Sequence, residues 1–208
     1  MTVTDVVEWN KTRYKIFIDH EFAFILYKGE LRKYKITKGC TLQDDTYRIL
    51  TEEVLTKRAK LRAMNLLTKQ SYTENGLRRK LAEGLYPPEV IEQAVSYVRS
   101  YGYVDDMQYT RDYIFYHKER MSRRQIEQKL MQKGISRSCI SLCMEETGGG
   151  LEEETEQIRG LFQKKYHGVI PEEPAEKRKM MQFFLRKGYS KSTICSALCE
   201  KSLGELYN

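Results

Sequence analysis

The chain has 208 residues, 40% hydrophobic and 31% charged, with 4 prolines and a formal charge of +7. That length suits one or two domains with their own cores, and the composition excludes disordered and collagen-like chains. No run approaches the roughly 18 apolar residues of a membrane span. The opening MTVTDVVEWN lacks the basic-then-apolar make-up of a signal peptide. Five cysteines, an odd number, fit a reducing cytoplasm rather than a disulfide scaffold.

Up to about residue 43 the pattern has a period of two. Tyr14, Ile16 and Ile18 alternate with Lys15, Phe17 and Asp19, and Phe22, Phe24 and Leu26 follow in the same phase. Leu31, Tyr34 and Ile36 make a third run among basic residues. Asp19-His20-Glu21 and Lys28-Gly29-Glu30 separate the runs. Short β-rich runs between such turn residues predict a small antiparallel meander. Three strands alone are marginal in water, so the meander is expected to dock onto the rest of the chain.

Beyond residue 43 the spacing is helical. Leu55, Ala59, Ala63, Leu66 and Leu67 share one stripe. Ile91, Ala94, Val95 and Val98 form a second, opened by Pro87 and Pro88, which suit a helix start. Tyr109, Tyr113 and Tyr116 make a third, and Ile126 and Leu130 a fourth. Ile158, Leu161, Phe162 and Tyr166 make a fifth. Met180, Phe184 and Leu185, then Ile194, Ala197 and Leu198, complete the set. Gly148-Gly149-Gly150 reads as a linker, as does the loop from Gly168 to Pro174.

The helical part repeats. A Gly after a basic amphipathic helix is followed by apolar residues six and ten positions on, three times over: Gly84, Val90, Ala94; Gly134, Ile140, Met144; and Gly188, Ile194, Leu198. A Gly suits a helix C-terminus that needs a left-handed residue. The chain therefore divides into a β-rich unit at 1–43, a helical lead-in with a first three-helix repeat at 44–101, a second repeat at 102–147 and a third at 151–208. The fold class is mainly α, with tandem three-helix repeats forming an elongated curved body behind a small N-terminal antiparallel β unit.

The charge is unevenly placed. Residues 1–55 are neutral overall, residues 56–147 carry +6 (17 basic against 11 acidic), and residues 148–208 carry +1. It is densest from Lys118 to Arg137, where Lys118, Arg120, Arg123, Arg124, Lys129, Lys133 and Arg137 face only Glu119 and Glu127. Such a field attracts phosphate backbones and acidic protein surfaces. A solvated helix face is the simpler account of any basic run taken alone.

The run Gly102-Tyr103-Val104-Asp105-Asp106, followed by Tyr109 and Tyr113, is similar to the Gly-Tyr-hydrophobic-Asp-Asp…Tyr signature of the RecX family, bacterial regulators of the RecA recombinase. Its surroundings match as well. Leu77, Leu81 and Gly84 precede a helix with Val90, Ile91 and Val95. Ser122-Arg123-Arg124-Gln125-Ile126 leads through Leu130 to Lys133-Gly134-Ile135-Ser136. The resemblance implies a modulator, mainly an inhibitor, of RecA filaments on single-stranded DNA. Members lie in the filament groove, restrain ATP turnover, strand exchange and extension, and dampen the SOS response to DNA damage. It also implies a cytoplasmic monomer that acts in recombination and DNA repair.

The expected contacts to the filament or to DNA are Arg120, Arg123, Arg124, Lys129, Lys133 and Arg137, with Arg78, Arg79 and Lys80 extending the strip from the first repeat. Lys129 and Lys133, one helical turn apart, make a phosphate row. Tyr103, Tyr109 and Tyr113 are expected to pack between repeats, with base stacking as the alternative. Asp105 or Asp106 is expected to cap the next helix rather than to hold a metal. Cys139 and Cys143, and Cys195 and Cys199, sit one helical turn apart, which suits small buried hydrophobes better than zinc ligands. His20, His117 and His167 have no nucleophile or acid at a catalytic spacing, and no phosphate-binding or metalloprotease motif is present, so neither a cofactor nor an enzyme activity is expected.

Two rivals come from other classes. One is a helix-turn-helix duplex reader over Gln125–Met144, whose reading helix offers only Arg137 before Glu145-Glu146. The other is an α-repeat scaffold for a protein partner, which salt-sensitive DNA binding would set aside.

Overall fold

In the strand region turn residues close each run, and the run from Glu21 to Tyr27 departs from the alternation by burying Phe24, Ile25 and Leu26 in succession. The computed structural model describes residues 1–147 and 151–198. The glycine linker at 148–150 and Cys199 lie outside the described residues. Strands β1 (Val3–Asn10), β2 (Arg13–Ile18) and β3 (Glu21–Tyr27) form an antiparallel meander in that order. Between β2 and β3 the chain turns on Asp19 and His20, both at positive φ (47° and 72°), the backbone of a two-residue hairpin whose twist matches its strands. Between β1 and β2 the Asn10 side chain accepts hydrogen bonds from the backbone N–H groups of Thr12 and Arg13.

The meander is offset from its sequence reading by one strand. The run through Leu31 is not a strand but helix α1 (Lys28–Lys33), and Val3–Asn10 supplies the third strand instead. The cause is local: the Glu30 carboxylate reaches back to accept the Tyr27 N–H at 2.7 Å, half of a capping box that starts a helix there. Val3, Ile16, Phe24 and Leu26 are fully buried and share one core with Leu50, Leu55, Ala59, Leu77, Leu81 and Val90. The sheet does dock onto the helices of this unit.

Helix α2 (Asp44–Arg48) runs through a π-helical segment (Ile49–Leu55) into α3 (Thr56–Leu67). Wide π turns leave side chains room to bond back to the chain. Here Thr56 Oγ1 donates to the Thr51 carbonyl at 2.8 Å and lies 2.8 Å from Gln93 Oε1. Helices α4 (Glu74–Ala82) and α5 (Pro88–Ser100) complete the first triplet with α3. Thr73 caps α4 through Gly76 N–H, and Pro87 and Pro88 open α5. Met1–Asp105 is one compact unit.

Asp106–Asn208 is the other unit. It begins with α6 (Asp106–His117), α7 (Arg123–Gln132) and α8 (Arg137–Glu146), packed on Ile114, Ile126, Leu130, Ile135, Ile140 and Cys143. Helices α9 (Leu151–Tyr166), α10 (Pro174–Arg186) and α11 (Lys191–Leu198) pack on Ile158, Met180, Met181, Phe184, Tyr189 and Ile194.

The repeated glycine has the expected role twice. Gly134 and Gly188 take φ of +89° and +85° just after their helices. In the first triplet the left-handed residue is Leu85 (φ +58°), one position later, and Gly84 instead gives room to Tyr86, whose ring lies 3.0 Å from where a Cβ would stand. The stripe on α6 is also rotated from its sequence reading. Thr110 and Ile114 are its buried residues, while Tyr116 is 73% exposed. Thr110 enters the core without penalty because its hydroxyl donates to the Asp106 carbonyl at 2.6 Å.

Candidate functional site

Rotation of α6 places its tyrosines on the flank of the second triplet, beside the basic helix. Tyr109 and Tyr113 stack one turn apart, with centroids 6.3 Å apart and planes within 15°. His117 extends the row, its ring 4.2 Å from that of Tyr113. Lys133, which ends α7, holds its Nζ 5.6 Å from the Tyr109 ring and 5.7 Å from the Tyr113 ring. Ammonium over aromatic faces is an attractive arrangement, and it fixes the orientation of the row.

Positive charge converges on His117. Burial, then Lys129, Arg120 and Lys133, hold its imidazole below the usual histidine range. Burial likewise pushes the Tyr113 phenol up, and Lys133 pulls it back. The α6–α7 face is therefore a neutral aromatic row flanked by three cations. Arg120, Arg124 and Lys129 are exposed and form no ion pair among the described residues. An exposed cation that no carboxylate compensates presents its full field to a partner.

Helix α7 is anchored at its start. Ser122, fully buried, caps it by accepting the Gln125 N–H and donates its own proton to the Lys187 carbonyl at 2.7 Å. The Arg123 N–H donates to a Glu154 carboxylate oxygen at 2.9 Å, a favourable charge at a helix N-terminus. Gln157 donates to the Lys118 carbonyl and accepts from the Tyr189 hydroxyl, whose acidity burial suppresses to a pKa of about 12. These bonds tie the basic helix to the third triplet.

The remaining expected residues separate. Arg123 is exposed at the start of α7, and Arg137 opens α8 with its Nε against Met131 Sδ at 3.3 Å. In the first triplet Arg78 is clamped between Glu92 at 2.8 Å and Glu74 at 3.1 Å, and Lys80 pairs with Glu83 at 2.8 Å. Arg79 is exposed. Carboxylates thus compensate much of the first-triplet extension of the strip. Asp105 stands immediately before α6 and Asp106 in its first turn, positions that favour acidic residues. Gly102 takes φ +70°.

Tyr103 is not packed away as expected: it is 57% exposed and stacks on exposed Tyr101, with centroids 6.0 Å apart. Tyr109 and Tyr113 are half-buried. Cys143 is buried in the core with Cys139 beside it, and burial pushes its thiol up to about 11. Cys195 packs on the third core. Among the described residues no three His, Cys, Asp or Glu side chains gather as a metal site would require. His117 was missed in the sequence, although its spacing of four from Tyr113 continues the row. The contact of Ser122 with Lys187, 65 residues on, and with Gly188 has no local signal.

A small antiparallel sheet followed by successive three-helix domains defines a class of tandem three-helix proteins. A family model described as the first three-helix domain of RecX matches residues 59–97, and one described as the third matches residues 152–198. A regulatory protein RecX from Clostridium acetobutylicum is 30% identical over 211 residues, covering 96% of this chain and 95% of its own. One from Caldanaerobacter subterraneus is 29% identical, covering 95% and 98%. The chain belongs to the RecX family of regulatory proteins. A crystal structure of a regulatory protein RecX shares the fold at a TM-score of 0.64 and 24% identity, covering 95% of this chain and 98% of that one. A RecX structure from Lactobacillus salivarius does so at 0.59 and 18%, covering 72% and 97%. Among the described residues no helix is long and apolar enough to cross a membrane.

Proposed function

We propose that this protein regulates, mainly by inhibition, the RecA recombinase filament on single-stranded DNA, and that the α6–α7 face makes the principal contact. The carrying observation is that Arg120 and Lys129, exposed and without ion pairs among the described residues, converge with Lys133 on His117 at the end of the stacked Tyr109 and Tyr113. Cations gathered on one face suit an array of anionic groups, and an adjoining aromatic row adds area that water does not compete for. The reading places the protein in the cytoplasm and its effect in recombination and the DNA-damage response. Helix α8 supports a duplex-reading role less well, since it presents Arg137 alone and its Glu146 pairs with Arg111 at 2.8 Å.

The test is single-stranded-DNA-dependent ATP hydrolysis by the cognate recombinase, with this protein titrated in. Inhibition well below one copy per recombinase is expected. R120E/K129E should weaken that inhibition while melting as the parent does, because both side chains are exposed and exposed charges contribute little to stability. No effect at equal stoichiometry would refute the function. Full inhibition by the folded double variant would refute the site.

A further inference from the structure

The first unit contains a cavity of about 560 Å³ between the sheet and helices α3 and α4. Four cations, Arg13, Arg58, Arg62 and Lys80, line it against one carboxylate, Glu83, which is itself paired with Lys80. Arg58 is built in: it donates to the Ile25 carbonyl at 3.1 Å, pairs with Glu30 and lies 4.3 Å from the Tyr27 ring centroid. Arg13 lies 5.3 Å from the same ring. Neither Arg13 nor Arg62 has an ion pair among the described residues. Arg13 and Arg58 thus meet at the Tyr27 ring, and Arg62 and Tyr86 share the same lining.

Glu30 compensates Arg58 and Glu83 compensates Lys80, which leaves the charges of Arg13 and Arg62 uncompensated among the described residues and able to draw an anion into the cavity. A rigid guanidinium fork suits phosphate oxygens. Trp9 lines the same cavity and is 42% exposed; the Lys15 ammonium lies 5.8 Å from its ring centroid, and the exposed remainder is aromatic surface of the kind on which a base stacks. An acidic peptide would use the charge but not the aromatic face, and a stacked duplex would offer no open base to Trp9.

We propose that this cavity binds a short stretch of single-stranded nucleic acid, with phosphates on Arg13 and Arg62 and a base against Trp9. It is a second site, in the unit that does not carry the α6–α7 face, and it needs no recombinase.

Trp9 is the only tryptophan of the chain, so tryptophan quenching in the folded protein reports on a residue of this lining. The test titrates the full-length protein with an oligothymidylate of about eight nucleotides, within the usual range for such sites. Saturable quenching of Trp9 is expected. Each phosphate neutralised on a single strand contributes about 0.7 to the salt slope, so R62A should lose about fivefold and R13A/R62A about 25-fold in affinity near 0.1 M salt. W9A, followed by the anisotropy of a labelled oligonucleotide, should lose about tenfold. The single variant R62A decides the matter if the double variant does not fold. Binding seen by anisotropy without Trp9 quenching, or unaffected by R62A, would place the nucleic acid elsewhere and overturn the proposal. So would equal quenching by a glutamate-rich peptide or by duplex DNA, since either shows that charge alone is read. The assay contains no recombinase, so its failure and a failure of filament regulation are separate results.

Discussion

Substituting Gly188 tests how the basic helix is anchored. Gly188 sits at φ +85°, and a Cβ there would lie 2.6 Å from Ser122 Oγ, 3.2 Å from Gln125 Cγ and 3.5 Å from Arg124 Cβ. Gly188→Ala therefore has two costs. The left-handed backbone costs about 1–2 kcal/mol for a residue with a Cβ. Displacing Ser122 sacrifices the α7 cap and the bond to the Lys187 carbonyl, which costs about 1–2 kcal/mol more. Gly102 separates the two costs, because it has φ +70° but nothing within 4 Å of its added Cβ. Gly102→Ala should lose only the first, about 1–2 kcal/mol. Urea unfolding followed by far-UV circular dichroism should place G188A about 1–2 kcal/mol below G102A. Because the displaced Ser122 starts α7, G188A should also weaken filament regulation, whereas G102A should not act through that helix. Equal stability of the two variants would refute the Ser122 clash.

His117 should couple anion binding to pH. Its folded-state pKa is depressed, first by burial and then by Lys129, Arg120 and Lys133, so the unfolded chain takes up the proton first and stability falls as pH drops through about 6.5. A polyanion that neutralises those cations raises the His117 pKa, so affinity should rise over the same interval; calorimetry in buffers of different ionisation heat should show proton uptake near pH 6, and its absence would refute the coupling. Arg58→Ala leaves the Ile25 carbonyl and Glu30 without their partner and should destabilise the first unit by about 1–3 kcal/mol, read from Trp9 fluorescence in urea. Cys143, with its thiol near 11, carries only about a thousandth of its population as thiolate at pH 8. It should be the last of Cys40, Cys139, Cys143 and Cys195 to react with a thiol reagent, as peptide mass spectrometry would show; early labelling of Cys143 would contradict its burial.

Local patterns in the chain were enough to set out the helices, their repeat and the region of excess charge. Apolar residues at helical spacing and a helix-ending glycine followed at six and ten positions are local signals, because each helix carries its own stripe whatever it packs against. Val90, Ile126, Leu130, Ile140 and Ile194 are buried as that spacing requires. The Gly102-to-Tyr113 signature is equally local. Packing settled the points that spacing leaves open. It chose Thr110 and Ile114 over Tyr113 and Tyr116 as the buried edge of α6, because a stripe only a few residues wide can rotate to suit the volume of its neighbours. It shifted the left-handed residue from Gly84 to Leu85 to accommodate the Tyr86 ring. It also selected which cations keep their field. Arg78 meets Glu92 fourteen residues away and Arg58 meets Glu30 twenty-eight residues away, whereas Arg124 and Lys129 meet no acid among the described residues. A charge run shows how much charge a segment carries. Which part of it faces a partner depends on carboxylates brought near by folding, and contacts that distant in the chain leave no trace in local spacing.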